Sequence, residues 1–447
     1  MDLISLIPQF GNLAFTIAAF VGAIVVIVFV HEFGHYIVGR WCGIRAEVFS
    51  LGFGPVLWAR HDKHGTKWQL AAIPFGGFVK FFGDSNAASG KDTEVASSLS
   101  EEELRSTMHG APLWARALTV AAGPFFNFAL AVVVFVALAF SQGNVREPLT
   151  VGELLPLPHG TYDLRAGDEI LAIEGTNIEK LADMAGLSDS LPLQETLIYT
   201  IRRNDRILDV TGPFTYPPLV NFLVPRSAAY DAGITVGDVI AEIDGEPIIA
   251  FRELKEAVET SGGKDLELTL WNDGDYRNVT LSPRRSDELQ PDGSYITNWR
   301  IGVVLDFVFE PKTELLSVGE ALEYGFSQVW GIIESSLSGI YHVIIGTIST
   351  CNLSGPIGIA ETSGAMASQG IADYVYFIAF ISSAVGLMNL LPVPVLDGGH
   401  LVFHLYESIA GRPPNDQVFR LLMSLGLAVL LSFMVFAVTN DVACIGG

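Results

Sequence analysis

The chain has few charged side chains for its length. Only 17% of its 447 residues are Asp, Glu, Lys or Arg, whereas 50% are hydrophobic. Soluble globular domains carry about 25% charged residues, so this composition indicates a membrane protein. Basic residues are the scarcer type: 26 Lys and Arg stand against 49 Asp and Glu, which gives a net charge of -23. Because nucleic acid binding needs a basic surface, no nucleic acid is expected as a partner.

Cysteine is nearly absent as well. The three cysteines, Cys42, Cys351 and Cys444, are scattered and form no C-x-x-C pair. This spacing indicates neither a disulfide framework nor a cysteine metal site. The N-terminal region also lacks the features of a signal peptide, because no Lys or Arg precedes its apolar run and no small-residue cleavage site follows. We therefore expect the first span to be retained.

What the chain does contain is long apolar runs. A helix of about 20 apolar residues crosses the ~30 Å hydrocarbon core of a bilayer. The runs of about that length are Leu3 to Val30, the stretch between Arg116 and Arg146, Asp373 to Asp397, and Leu421 to Thr439. A further apolar segment, Leu316 to Thr350, is interrupted by glutamates and predicts either another span or an amphipathic helix at the interface. The expected fold is a polytopic α-helical membrane protein with about four transmembrane helices.

The first span ends in the sequence HEFGH. His31 and His35 are four residues apart, which places both imidazoles on one face of a helix, one turn apart. Two such nitrogens can bind one zinc ion, and Glu32 lies beside them, where it can activate a water molecule. In a chain with 9 histidines, a chance H-E-x-x-H arises on the order of once in a hundred such sequences. The motif therefore predicts a zinc site with Glu32 as the catalytic residue.

A zinc site with two histidines needs a third protein ligand. The third span ends within Asn389 to His400, where two prolines break the helix. Asp397 follows them and lies at the inner boundary, the depth at which the first span ends. This requires that Leu316 to Thr350 does not cross the membrane alone, because a crossing would put Asp397 ~30 Å away. Asp397 is the expected third ligand, and His400 and His404 are weaker candidates.

The region from the first span to the end of the second has further features. Ala46 to Phe82 is rich in aromatic residues, Gly and Val around a turn-like H-D-K-H-G, which predicts a membrane-associated β-hairpin. Asp84 to Ser106 is polar and acidic and is expected to form a loose loop. In the second span Asn127 follows a Gly123-Pro124 pair. An amide is costly in lipid, so Asn127 either faces the bundle interior or bonds to a neighbouring backbone.

Residues Val151 to Val304 contain an internal repeat. Gly167 to Gly175 matches Gly237 to Gly245 in the pattern G-D-x-I-x-x-I-[DE]-G, at an offset of 70 residues (237 − 167). Two copies of one unit predict two similar α+β domains, at 146–217 and 218–310. The second copy resembles a PDZ domain, and the first is more degenerate. PDZ domains bind peptides as an added strand, so the second copy is expected either to bind a peptide or to be a spacer or lid.

Basic residues set the expected orientation. The segment from Tyr36 to Arg116 carries nine Lys or Arg, which places it on the inner side. The link between the third and fourth spans carries Arg412 and Arg420 and is therefore also inside. Four spans then put the zinc site near the inner face, and both termini and the repeat domains outside.

In this order the motifs resemble the site-2 protease family, most closely its branch that regulates sigma-E. The resemblance covers the whole chain and rests on HEFGH, the Gly123 to Asn127 patch, the tandem PDZ-like units and Asn389 to Gly398. It implies that His31, His35 and Asp397 bind Zn²⁺ and that Glu32 is the catalytic base. It also implies that Asn389 positions the substrate backbone.

The resemblance carries implications for partners and location. It implies a transmembrane substrate, either an anti-sigma factor already shortened by a first protease or a remnant signal peptide. It places the protein in the cell inner membrane, in contact with lipid, with the PDZ-like domains and both termini periplasmic and the zinc site near the cytoplasmic face. The PDZ pair is expected to exclude uncut substrates by bulk. The degenerate first copy departs from the family pattern, which leaves its peptide affinity open.

Two other function classes remain open from the residues alone. One is a membrane zinc protease that cuts soluble or interfacial chains, for which Glu407 is the alternative third ligand. The other is a non-catalytic PDZ scaffold, which the intact Glu32 disfavours. The expected layout is 1–36 first span, 37–115 hairpin region and loop, 116–145 second span, 146–217 and 218–310 PDZ-like domains, 311–372 interfacial segment, 373–400 third span, and 401–447 link and fourth span.

Overall fold

The computed structural model describes residues 7–84, 99–158, 162–178, 180–188, 190–290 and 295–444. The chain forms two compact units. The first comprises Met1–Leu138, Ala321–Ile344 and Leu353–Val442, and the second comprises Ala139–Glu320, Ile345–Asn352 and Ala443–Gly447. Neither unit is a continuous piece of the sequence.

Helices occur in both units, and the long apolar ones lie mainly in the first. In chain order the described helices are α1 (Ile7–Trp41), α2 (Glu101–Arg105), α3 (Leu113–Gln142), α4 (Leu181–Ser188), α5 (Ala228–Asp231), α6 (Phe251–Thr260), α7 (Val318–Ile344), α8 (Pro356–Gln369), α9 (Ile371–Leu390), α10 (Asp397–Ala410) and α11 (Asp416–Ala443). Within the described residues, the helices long and apolar enough to cross a membrane are Leu13–Trp41, Leu113–Gln142, Ile371–Leu390 and Gln417–Ala443. They confirm the prediction of about four transmembrane helices; residues 3–6 of the predicted first span lie outside the described part.

Helix α7 corresponds to the segment that the sequence left open. Its buried residues are Ala321, Gly325, Val329 and Ile332, which recur every three or four positions and so lie on one face. That face packs against the second half of α3, where Val329 and Ile332 join a core with Ala131, Phe135 and Leu138. The residues before and after α7, up to Glu320 and from Ile345, belong to the second unit, whereas Ala321–Ile344 belongs to the first. The chain therefore enters the first unit with this helix and returns to the second unit after it.

The predicted β-hairpin is present in the first unit. Strands β1 (Ala46–His61) and β2 (Lys67–Phe81) pair, and both are bent, since Phe49 is paired with Val79 and also with Trp68. Most of the predicted acidic loop, 85–98, lies outside the described residues. Its described end contains α2, which begins with a capping box between Ser100 and Glu103, so this part is ordered helix rather than loose loop.

The second unit contains the internal repeat as two four-stranded sheets. Its strands are β3 (Asn144–Val145), β4 (Val151–Leu154), β5 (Glu169–Ile173), β6 (Thr176–Asn177), β7 (Thr196–Arg203), β8 (Arg206–Pro213), β9 (Val220–Leu223), β10 (Val239–Ile243), β11 (Glu246–Pro247), β12 (Leu266–Asn272), β13 (Asp275–Leu281), β14 (Arg284–Leu289), β15 (Tyr295–Arg300), β16 (Val303–Leu305), β17 (Phe309–Pro311) and β18 (Thr313–Glu314). The sheet orders, β6-β5-β7-β8 and β11-β10-β12-β13, are equivalent.

The repeated G-D dipeptide has the same role in both copies. Gly167 and Gly237 have φ of 92° and 91°, a left-handed conformation that favours glycine. The buried aspartates that follow, Asp168 and Asp238, each accept a hydrogen bond from the backbone N–H three residues earlier. Each also pairs with an arginine of the same sheet, Arg203 on β7 in the first copy and Arg277 on β13 in the second. The two copies are therefore similar in conformation as well as in sequence.

After the second copy the chain returns to the first. Strand β17 pairs with β4, and β18 pairs with β3, so Glu314 lies opposite Asn144. The two copies also share a core, because Ala250, just before α6, is buried among residues of the first copy. The predicted boundaries at 146–217 and 218–310 separate residues that are hydrogen-bonded to one another.

One disulfide corrects the reading of the cysteines. Cys351 and Cys444 are bonded, although 93 residues separate them in the sequence. Cys42 is the free cysteine.

In the first unit, near the end of α11, the buried Asp441 accepts hydrogen bonds from the backbone N–H groups of Gly355, Ile357 and Gly358 at the start of α8. A carboxylate at a helix N-terminus is stabilised by the helix dipole, and here it joins two helices.

Candidate active site

The HEFGH sequence lies on α1, which runs without interruption because no proline follows its first turn. His31 and His35 therefore stand one turn apart, as their spacing predicts. Their Nε2 atoms are 3.2 Å apart. Each side chain keeps 12% of its surface exposed, so the pair is largely shielded from solvent.

Asp397 reaches this pair by way of a tight turn. Helix α9 ends at Leu390 and α10 begins at Asp397, and the two prolines between them cannot continue a helix. A Cβ on Gly398 would lie 2.2 Å from the carbonyl oxygen of Leu390, and one on Gly399 would lie 2.2 Å from that of Val393. Both glycines are required by this close approach, which turns the first residue of α10 toward α1.

The three side chains have the geometry of a metal site. Asp397 Oδ2 lies 3.2 Å from His31 Nε2, and Asp397 Oδ1 lies 3.5 Å from His35 Nε2. Tetrahedral zinc has bonds of about 2.0–2.1 Å, which puts ligand atoms about 3.3–3.4 Å apart. Two imidazoles and one carboxylate are a donor set of catalytic zinc sites, in which the fourth position stays open. Among the described residues no other group of three His, Cys, Asp or Glu comes together in this way.

Helix α3 contacts both imidazoles. The Nδ1–H of His35 donates to the carbonyl oxygen of Thr119 at 2.8 Å. Two turns further along α3, the side-chain amide of the fully buried Asn127 lies 3.2 Å from His31 Nδ1. Between them a Cβ on Gly123 would lie 2.3 Å from His35 Nε2 and 2.8 Å from His31 Cε1. Asn127 thus faces the bundle interior, and the Gly123 to Asn127 patch forms the wall of the site.

Glu32 faces the last part of β2. Its carboxylate lies beside the backbone of Val79. A Cβ on Gly77 would lie 2.8 Å from the carbonyl oxygen of Ser50 and 3.0 Å from Glu32 Cγ, so a glycine lets the strand pass this close. Residues 77–81 pair on one side with 46–51, and no other described strand pairs with their second side. An open strand edge therefore lies beside Glu32.

The alternative ligands do not belong to the group of three. The two terminal nitrogens of Arg116, Nη1 and Nη2, donate to Glu407 at 3.0 and 2.7 Å, so this carboxylate belongs to an ion pair. Burial and the neighbouring Arg116 lower the pKa of His404 to about 4, and its imidazole is neutral near pH 7. His400 is half-buried and packs against Phe419. Neither histidine joins the group of three.

Asn389 lies in the last turn of α9 and is half-buried. Its side chain has no hydrogen-bond partner among the residues that the structure describes, which leaves the amide free to bind a ligand.

Three features in and around the site had no clear signal in the sequence. The Thr119 carbonyl is a backbone group, the Arg116–Glu407 pair spans 291 residues, and the Gly77 contact depends on how β2 bends.

Comparison with known proteins gives consistent matches over most of the chain. The sequence model of Peptidase family M50 matches residues 19–433. A protein of Rhizobium meliloti (strain 1021), named "Putative zinc metalloprotease R01501", is 34% identical over 436 residues, which cover 96% of this chain and 97% of that protein. The regulator of sigma-E protease RseP of Salmonella typhimurium (strain 14028s) is 30% identical over 467 residues, covering 96% of this chain and 99% of that protein.

Proposed function

Because the chain belongs to Peptidase family M50, the zinc metalloendopeptidases of the site-2 type, we propose that it hydrolyses peptide bonds within the transmembrane segments of single-pass membrane proteins. The observation that carries this proposal is the position of the site. His31 and His35 lie within the 29-residue apolar span Leu13–Trp41, where Asp397 meets them, rather than on a soluble domain. A substrate helix in the bilayer reaches the depth of this site, whereas a soluble chain does not.

A small number of residues carry out the hydrolysis, each with its own role. Zinc, held by His31, His35 and Asp397, supplies Lewis-acid polarisation of the scissile carbonyl and of water when bound. Glu32 accepts the proton of the attacking water and returns it to the leaving amine. Strand β2 passes close to Glu32 at Gly77 and limits where its carboxylate can lie during both transfers. Gly123 keeps the centre of the site clear.

The substrate backbone binds to the open edge of β2 in this proposal. The edge formed by residues 77–81 pairs with no second strand among the described residues and lies beside Glu32, so an extended segment adds there as a strand. Asn389 positions the same segment with its side-chain amide. Exposed apolar side chains at the hairpin bend, among them Phe53, Leu57 and Trp58, hold the hairpin in lipid.

The repeat block acts as a gate. We assign PDZ domains to its two copies on the repeated G-D-x-I-x-x-I-[DE]-G pattern and the equivalent sheet orders. The block excludes substrates that still carry a bulky outer domain, and the second copy binds a peptide by strand addition. Peptide binding is not assigned to the first copy, whose sequence departs further from the PDZ pattern. Substrates are then anti-sigma factors after a first cut, or remnant signal peptides.

The protein is an inner-membrane protein, and the disulfide supports its orientation. Disulfides persist in the periplasm and are rare in the cytosol. The Cys351–Cys444 bond therefore favours a periplasmic position for the residues after α7 and for the C-terminal end of α11. This agrees with the orientation that the basic residues predict, with both termini and the repeat block outside. The zinc site lies near the cytoplasmic face.

The test is cleavage of a panel of single-pass peptides by the full-length protein in detergent, with products mapped by mass spectrometry. We expect cuts within the apolar segment that a zinc chelator abolishes. A membrane zinc protease that acts on soluble or interfacial chains instead cuts those chains and spares the peptides. A scaffold cuts neither, and either result overturns the proposal.

A further inference from the structure

The hydrogen-bonding partner of His35 fixes the tautomer of this ring. The Thr119 carbonyl oxygen, 2.8 Å away, can only accept, so His35 Nδ1 carries the hydrogen. The lone pair is then on Nε2, the atom that points at His31 and Asp397. A group that accepts from the outer nitrogen of a metal-ligating histidine orients the ring and raises its basicity.

His31 has a different partner in the equivalent position. Its Nδ1 lies 3.2 Å from the amide nitrogen of Asn127, which can only donate. An amide nitrogen in this position puts the hydrogen of His31 on Nε2, where it blocks metal binding, whereas the amide oxygen in the same position puts it on Nδ1 and leaves the Nε2 lone pair free. The amide oxygen of the same Asn127 is buried and has no partner among the described residues. One rotation of the amide exchanges the two atoms.

We propose that Asn127 is the positioning residue of His31, and that its amide presents Oδ1 to Nδ1–H in the zinc-loaded site. This inference rests on the proposed function, because it takes His31 as a zinc ligand. This orientation of the amide satisfies the buried oxygen and leaves the lone pair of His31 Nε2 for the metal. Thr119 and Asn127, eight residues apart on α3, then act as a matched pair of acceptors for the two imidazoles.

The surroundings of Asn127 suit this role. The residue is 0% exposed, so no water molecule of bulk solvent replaces its amide. Its backbone carbonyl accepts a hydrogen bond of 2.9 Å from the hydroxyl of the buried Ser382 on α9. This contact fixes the backbone of α3 beside His31 and leaves the side-chain amide to take either orientation.

The test compares two isosteric replacements of Asn127 in the full-length protein in detergent. Asn127→Asp keeps an oxygen acceptor for His31 Nδ1–H, whereas Asn127→Leu removes every acceptor. Zinc dissociation constants come from competition with a chromophoric chelator, and the ligand field comes from the visible spectrum after cobalt substitution. We expect Asn127→Leu to weaken zinc binding about 10- to 100-fold and Asn127→Asp to stay within a few-fold of wild type.

The remaining outcomes separate the inference from the proposed function. Zinc binding as tight in Asn127→Leu as in wild type, or equal losses in Asp and Leu variants with unchanged thermal unfolding, overturns the role of Asn127. His31→Ala serves as the reference, and if it keeps full zinc affinity the ligand set itself is wrong. Where Asn127→Leu does not fold, Asn127→Ala removes the acceptor without added bulk and carries the same expectation.

Discussion

Gly123 and His35 approach so closely that no side chain fits between α3 and the imidazole. A Cβ on Gly123 would lie 2.3 Å from His35 Nε2, which is one of the three candidate ligand atoms. The carbon would therefore occupy the space in which a metal ion has to lie. This glycine is required by the chemistry of the site and not by a turn, because it lies within α3.

Replacing Gly123 by alanine should abolish zinc binding. The added methyl group would lie against His35 Nε2, itself a candidate ligand atom. The loss of zinc affinity should therefore exceed the roughly 10- to 100-fold loss expected when a hydrogen-bonding partner of a ligand is removed. Metal analysis of the purified protein measures it. Gly331→Ala is the matched control, since a Cβ there meets nothing within 4 Å, and it should keep its zinc. A Gly123→Ala variant with full zinc content would show that the metal binds elsewhere.

Replacing Glu32 by glutamine should abolish hydrolysis and leave zinc bound. Glutamine keeps the shape of the side chain, but it cannot take a proton from water. Removal of a general base lowers rates by about 10²- to 10⁴-fold. Single-turnover cleavage and metal analysis of the same sample check both parts. Turnover near the wild-type rate would remove Glu32 from the base role.

Two carboxylates near the site should respond differently to neutralisation. Asp397→Asn should lower zinc affinity and activity together, because the residue lies within 3.5 Å of both histidine nitrogens. Glu407→Gln should keep zinc but lower the stability by roughly 2 kcal/mol, since it breaks a largely buried pair with Arg116. Zinc titration and thermal unfolding separate these effects. Zinc loss in Glu407→Gln alone would make Glu407 the third ligand.

The sequence predicted the parts of this molecule that depend on neighbouring residues. The i, i+4 spacing of His31 and His35 fixes their relative position on any helix, and hydropathy over 20 residues decides which helices span a membrane. Asp397 was within reach of sequence reasoning because prolines and glycines mark the turn before it. In each case the relevant forces act over a few residues of chain.

Contacts between distant segments were not predictable in this way. The Cys351–Cys444 bond joins residues 93 positions apart, with no spacing motif to reveal it. Strand β17 is three residues long and pairs with β4 across the second repeat, so its composition carries little information. The Thr119 carbonyl is a group that every residue has. Such contacts follow from how elements pack together, which a single sequence does not encode locally.

Removing the repeat block should relax size selectivity, and the structure sets the limits of the deletion. Excision of 144–314 removes both partners of the β3–β18 pair, and a short Gly-Ser linker can join the ends because Asn144 and Glu314 lie opposite each other. Substrates with an intact outer domain should then be cut, and short substrates should be cut as before. Excision of 151–304 would instead leave β17 without its partner β4.

Cleavage of both substrate sizes by wild type and deletion variant measures the gate. The deletion placed on Glu32→Gln is the control, because any product that it forms comes from another protease. Equal discrimination by wild type and deletion variant would rule out a steric gate in this block.

The final prediction concerns unwinding of the substrate. A transmembrane helix holds each carbonyl in an i to i−4 hydrogen bond, and lipid offers no other partner. Zinc and water cannot reach the carbonyl until the segment unwinds, so the enzyme has to supply partners for the freed groups. The open edge at residues 77–81 and the free amide of Asn389 are placed to do this. Glycine beside the scissile bond weakens a helix by about 1 kcal/mol relative to alanine, and should speed cleavage by up to about fivefold over leucine. Asn389→Leu should slow the leucine substrate more than the glycine substrate. Single-turnover rates for the matched peptides, with both enzymes, test this. Equal rates for the two peptides in both enzymes, with the chemical step limiting, would show that unwinding is not the barrier.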